Sequence, residues 1–262
     1  MSIPTPKGTR QRAGGRHMAT GSAKAAAPAT PGAKVLRTLR EVAIVVVAAI
    51  VLSFLLKTFL LQSFTIPSRS MVPTLLEGDR VIVTKLAPGP FQLHRGDVVV
   101  FKDPGGWVQD HQPVAPRTGL SKVVNDVLRE IGLAPASSTE YLIKRLIGLP
   151  GDEVACIGPG APLTVNGVAL QETYLAPETS ACTVAFEVVV PPEALWVMGD
   201  NRGSSSDSRA HMDDPALGGA VSQAQVVGVA QIRSWPMNRW SVMRNPGVVF
   251  AQVPVPGGER VP

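Results

Sequence analysis

The pattern of apolar and polar positions changes character twice along the chain. Residues 1–41 mix Gly, Ala, Pro, Ser and Thr with scattered basic residues and show no apolar periodicity, so they are expected to form a disordered tail. The stretch 42–61, VAIVVVAAIVLSFLLKTFLL, then carries a single charge, Lys57. It matches the ~20 residues a helix needs to cross a ~30 Å hydrocarbon core, and Lys57 lies near the far end, where its stem can reach the interface. A long buried core helix or a cleaved signal peptide would show similar hydropathy. No small-x-small cleavage site follows residue 61, which favours a span.

From residue 62 onward the apolar runs become short and are separated by Gly, Pro and Asp. RVIVTK (80–85), DVVVF (97–101), YLIKRLIGL (141–149), FEVVV (186–190), LWVMGD (195–200) and VVGVAQI (226–232) read as strands. In LTVNGVAL (163–170), Asn166 and Gly167 sit between alternating apolar residues, the pattern of a two-residue hairpin. One helix is expected inside an insertion at about 105–140, where Leu120, Val123, Val124, Val127, Leu128 and Ile131 follow helical spacing and Gly132 supplies the stop. The fold class is therefore mainly β, a barrel or sandwich at 62–262 behind one N-terminal transmembrane helix, with one small inserted helix.

Charge sharpens this division. The 262 residues carry a net +5, which could point to nucleic acid, but residues 1–41 hold eight Lys and Arg against the single acid Glu41. Residues 62–262 are slightly acidic, so no nucleic-acid partner is expected. The basic flank ahead of the apolar run places the N-terminus on the cytoplasmic side of the cell membrane and residues 62–262 outside it. In that compartment Cys156 and Cys182 suit a disulfide worth roughly 3 kcal/mol, with two free thiols as the alternative. The cysteines lack CxxC spacing and nearby histidines, so neither a metal nor another cofactor is expected.

A serine hydroxyl needs a base before it becomes a nucleophile. Ser68 and Ser70 lie in IPSRSMVPTL (66–75), which begins five residues after the apolar run ends. His94, His111 and His211 sit in loop-like segments without the local pattern of an activating histidine, although a Ser-His-Asp arrangement is left open. A lysine serves as base only when desolvation lowers its pKa towards neutrality. Lys144 fits that need best among Lys85, Lys102, Lys122 and Lys144. On a strand it shares a face with Leu142 and Leu146, while Ile143, Arg145 and Ile147 point the other way. Arg145 stays protonated and cannot be the base. The plainer role for Lys144 is a solvated ammonium at a strand edge.

Five stretches in order resemble bacterial type I signal peptidases: the apolar anchor 42–61, IPSRSMVPTLLEGDRVIVTKL (66–86), RGDVVVFKDP (95–104), YLIKRLIGLPGD (141–152) and MGDNRGSSSDSR (198–209). The resemblance implies a membrane-bound endopeptidase that removes N-terminal signal peptides from secreted preproteins after a small-x-small motif. It implies Ser70 as nucleophile, Lys144 as general base, Ser68 as an oxyanion donor and Ser205 as the hydroxyl that orients the lysine, with Asp207 and Arg209 a supporting ion pair. Arg69 departs from the glycine that the family often has beside the nucleophile. The substrate is expected to add as a strand, with Ile66, Met71, Leu75 and Ile143 as candidates for its shallow pockets or as ordinary core. The implied partners are preproteins and the lipid bilayer. Two other readings are a processing peptidase with few clients and a catalytically silent anchored binding domain.

Overall fold

The structure, a computed structural model, describes residues 31–107 and 140–256, with side chains in the first helix described over 37–54. The chain separates into two compact units after Ala48, inside that helix. The helix, α1 (Pro31–Phe59), starts earlier than the apolar pattern indicates. Pro31 stands at the first helical position, where a missing N–H costs nothing, and Arg37 Nε pairs with Glu41 Oε1 at 3.0 Å one turn on. Residues 31–41 are therefore helical rather than part of a disordered tail, and 1–30 lie outside the described residues.

At its other end α1 stops at Phe59, and Leu61 already belongs to a strand, pairing with Thr84. The apolar run 42–61 is thus divided between helix and sheet. In α1, apolar side chains from Leu39 to Phe54, among them Val45 and Ile50, are exposed. Among the described residues no helix is long and apolar enough to cross a membrane; the stretch 37–54 also carries Arg37, Arg40 and Glu41.

The remainder is mainly β. The strands are β1 (Leu61–Thr65), β2 (Arg80–Thr84), β3 (Val98–Lys102), β4 (Tyr141–Gly148), β5 (Glu153–Cys156), β6 (Thr164–Val165), β7 (Val168–Ala169), β8 (Phe186–Val189), β9 (Ala194–Met198), β10 (Val221–Ser222), β11 (Val226–Trp235) and β12 (Ser241–Val242). All pairings are antiparallel. The larger sheet runs β1-β2-β11-β3-β4-β9-β10 with β12 added to β11, and the smaller runs β7-β6-β5-β8. Asn166 and Gly167 join β6 to β7 with φ of 51° and 77°, the left-handed pair that matches the twist of a tight hairpin. The helix expected in the 105–140 insertion lies outside the described residues.

Three apolar clusters fill the fold. Ile147, Val154, Leu163, Trp196 and Met198 gather where the smaller sheet meets β4 and β9. Ile66, Met71, Leu75, Val81, Val98 and Ile143 pack under β1 to β4. Val99, Phe101, Trp107, Leu146 and Val197 form the third, with Leu142 packed against it. The leucines flanking Lys144 thus fall in one cluster, and Ile143 and Ile147 in the other two, as strand alternation requires. Sγ of Cys156 in β5 lies 2.21 Å from Sγ of Cys182, joining them as a disulfide with Cα atoms 6.0 Å apart.

Candidate active site

After β1 the chain leaves the sheet at Pro67 and tightens into a 3-10 turn, Arg69–Met71, in which Ser70 is buried. Apolar anchors on both sides fix this turn. Ile66, Met71 and Leu75 are sunk in the core, and Leu75 N donates to Met71 O at 2.9 Å. The loop after β9 fastens it from the other side. Asn201 N donates to Ser70 O at 3.0 Å, and Asn201 Nδ2 donates to Arg69 O at 3.2 Å.

That approach needs Gly199. A Cβ there would strike Ser205 Oγ and lie 2.5 Å from Ser70 O, so any side chain would push the loop away from the turn. Sequence spacing alone cannot show this contact, because it joins positions far apart in the chain.

Lys144 reaches the same point from β4. Its Nζ is 2.7 Å from Ser70 Oγ, and Ser68 Oγ is 3.2 Å from Ser70 Oγ. Lys144 is 2% exposed, and among the described residues no carboxylate lies within ion-pair distance of its Nζ. Burial, which disfavours the cation, lowers its pKa from 10.5 to about 8; Asp207 and Asp200 pull it up, and Arg209 pushes it down. The amine is therefore neutral in a substantial fraction of molecules near pH 8. As a neutral amine it can accept the Ser70 proton.

The loop 199–209 forms the wall beside the lysine. Asp207 is fully buried and accepts from Gly199 N at 2.9 Å and from Arg209 through Nε and Nη2, both at 2.9 Å. Burial would raise the Asp207 pKa, but the Arg209 hydrogen bonds and charge outweigh it and hold the carboxyl below its ordinary range. Arg209 and Arg202 continue the network outward: Arg209 Nη2 donates to Arg202 O at 3.0 Å, and Arg202 donates to Ala181 O at 2.6 Å and pairs with Glu172. The Ser205 hydroxyl is buried in this wall beside Asp207, whose carboxyl it helps to hold low, and it lies near Ser70 without bonding to Lys144.

Of the pocket candidates, Ile66 and Ile143 line a shallow depression with Phe64, Pro67, Tyr141 and Leu142, between the end of β1 and the start of β4. Met71 and Leu75 are 0% exposed and belong to the core beneath it. His94 is exposed beside Asp97, and His211 bonds to Ser206 rather than to Ser70. His111 lies outside the described residues. Among the described residues no group of His, Cys, Asp and Glu converges as a metal site.

Sequence reasoning missed one buried pair next to the lysine. Arg145 Nε and Nη2 clamp Asp200 at 2.7 and 2.6 Å, while its Nη1 donates to Gly96 O at 2.7 Å. Thr74 Oγ1 donates to Asp200 Oδ2 at 2.5 Å, and the Arg145 Cζ stands 4.0 Å from the Tyr174 ring centroid. A charge inside an apolar strand was the available sign of a buried partner. Thr74 follows the Ser70 turn, so the clamp ties that turn to β4 and to the 199–209 loop.

Residues 39–235 match the family described as signal peptidase, peptidase S26. The chain is 38% identical over 244 residues to the signal peptidase I of Mycobacterium tuberculosis (strain ATCC 25618 / H37Rv), an alignment covering 86% of this chain and 82% of that protein. It is 34% identical over 227 residues to a probable signal peptidase I of Mycobacterium leprae (strain TN), covering 77% and 78%. The crystal structure of a signal peptidase I from Enterococcus faecalis V583 aligns at 27% identity over 53% of this chain and 97% of that one, with a TM-score of 0.32 that carries no argument about the fold.

Proposed function

The chain belongs to the peptidase S26 family of signal peptidases, and from that premise we propose that Ser70 and Lys144 are the pair through which it cuts. The protein is a serine endopeptidase that removes signal peptides from preproteins. The observation that carries the assignment is the 2.7 Å contact between Ser70 Oγ and a buried lysine that has no carboxylate partner among the described residues.

Lys144 takes the Ser70 proton as Oγ attacks the scissile carbonyl. The developing oxyanion is held by the Ser70 N–H and the Ser68 hydroxyl, and losing one such donor typically costs about 10²–10³-fold in rate. Collapse of the adduct breaks the C–N bond, with the proton on Lys144 passing to the departing amine of the mature protein. The signal peptide remains as an ester on Ser70. Water, deprotonated by Lys144, then releases it. Ser205 lies in the 199–209 wall against Asp207, and the Asp207–Arg209 pair keeps that wall in place beside the lysine.

The depression between β1 and β4 suits an extended substrate laid beside the nucleophile, with room for small side chains only. Ile66 and Ile143 would floor it. The helical part of the run 42–61, residues 42–59, is the membrane anchor in this reading, with the N-terminus cytoplasmic and the catalytic domain outside; the exposed apolar side chains of α1 support it. A direct test is cleavage of a preprotein in detergent with the cut mapped by mass. Ser70→Ala and Lys144→Ala are expected to fold normally and leave the precursor intact. Full activity in either would overturn the assignment.

A further inference from the structure

Trp107 occupies a position that neither the motifs nor the proposed mechanism uses. It follows the turn 103–106, in which Asp103 Oδ1 accepts from Gly105 N at 3.0 Å and Trp107 N at 3.3 Å. Gly105 and Gly106 take φ of 129° and 80°, values open to glycine without strain, and the turn brings the indole back onto the sheet it has just left. Trp107 is 4% exposed, with its ring centroid 5.8 Å from that of Phe101 in edge-to-face contact.

It belongs to the apolar cluster that flanks Lys144. Trp107 shares a cluster with Val99, the cross-strand partner of Lys144, and with Leu142 and Leu146, the residues that flank Lys144 on its own face. The indole also stacks on the His211 ring, 4.4 Å away at an angle of 7°. His211 Nε2 is 2.9 Å from Ser206 Oγ, which donates to Trp107 O at 3.4 Å. Ser206 stands between Ser205 and Asp207. One aromatic pair therefore links the apolar cluster around Lys144 to the loop that walls it.

We propose that Trp107 and His211 are positioning residues for the Ser70–Lys144 pair: the stack braces the Ser205–Asp207 segment and keeps water out of the apolar face behind the lysine. This rests on the reading of Lys144 as the base. The charged groups acting on Lys144 are Asp207, Asp200 and Arg209, with Arg145 beside it in β4; those acting on His211 are Asp103, Asp207 and Asp214. Burial sets His211 below its ordinary pKa against the pull of those three carboxylates. Its titration falls on the acid side of that of Lys144, so the two are separable in one pH profile.

The test uses the full chain in detergent and a serine-directed acylating probe, with the rate of Ser70 labelling followed from about pH 6 to 10 beside thermal unfolding. With Trp107→Ala, water reaches the lysine and favours its cation. The rising limb is expected to move up by about one pH unit, and labelling at pH 7 to fall about tenfold. Trp107→Phe keeps a ring on His211 and should restore most of the parent profile. His211→Ala should move the limb in the same direction by less. A limb that stays at the parent position in folded Trp107→Ala, or a loss of rate equal at every pH, overturns the proposal. Should Trp107→Ala not fold, an unmoved limb in His211→Ala overturns it. The probe reads Ser70 without a preprotein, so an uncut preprotein bears on the function and an unmoved limb bears on the stack.

Discussion

Lys144 and Arg145 are consecutive residues of β4, buried to the same depth at 2% and 3% exposure, and they meet opposite fates. Arg145 receives the Asp200 carboxylate in two hydrogen bonds, the Gly96 carbonyl and the face of Tyr174. Burial works against its charge, but Asp200 outweighs burial and its pKa rises. Among the described residues, Lys144 has only a serine hydroxyl as a hydrogen-bond partner. Nothing offsets its burial in full, and its pKa falls to about 8. Burial alone therefore does not make a base. In this strand the pKa falls where the fold buries a cation and withholds the carboxylate, as the proposed base requires, while the adjacent residue shows what supplying one does.

Removing Arg145 should break the comparison most severely. Arg145→Ala leaves the buried Asp200 charge uncompensated and is expected to cost about 3–5 kcal/mol of stability by chemical denaturation. A double variant, Arg145→Met with Asp200→Leu, removes both charges and should recover much of that loss. Equal losses in the two would mean that the pair is not what makes Arg145 tolerable.

Removing Lys144 should act in the opposite direction. Its pKa falls from 10.5 to about 8 on folding, which corresponds to a penalty on the order of 3 kcal/mol for burying the cation. Lys144→Met forfeits the bond to Ser70 and is expected to gain about 1–3 kcal/mol near pH 7 while losing cleavage. The sign follows from proton counts. Between about pH 8 and 10.5 the unfolded chain holds a proton that the folded lysine has released, so the parent gains stability as pH rises through that window and the penalty is fully present below it. Lys144→Met should lack this slope. A variant that is less stable than the parent and keeps the slope would contradict the desolvation account.

Much of this was legible in residue order. The alternation in YLIKRLIGL located β4 and set Lys144 among leucines, and the Asn166–Gly167 pair marked the hairpin between β6 and β7. Other features depend on contacts between distant segments. Leu61 reads as the end of an apolar helix, yet its pairing with Thr84 draws it into β1. The start of α1 at Pro31 was hidden by the low apolar content of 31–41, since helix propensity there does not depend on an apolar stripe. Met71 and Leu75 look like pocket residues by proximity to Ser70, and they instead form the buried footing of its turn. Asp200 sits in the GDN run with no local sign of its partner, because Arg145 arrives from another strand.

The central claim is that a neutral Lys144 activates Ser70, and the most direct measurement is single-turnover cleavage of a signal peptide as a function of pH by the full chain in detergent. The rate should rise with pH through about 8, the value that burial gives Lys144, and Lys144→Ala should show no cleavage at any pH. A rising limb near the ordinary histidine range of about 6.5, or cleavage that persists in Lys144→Ala with the same profile, would contradict it.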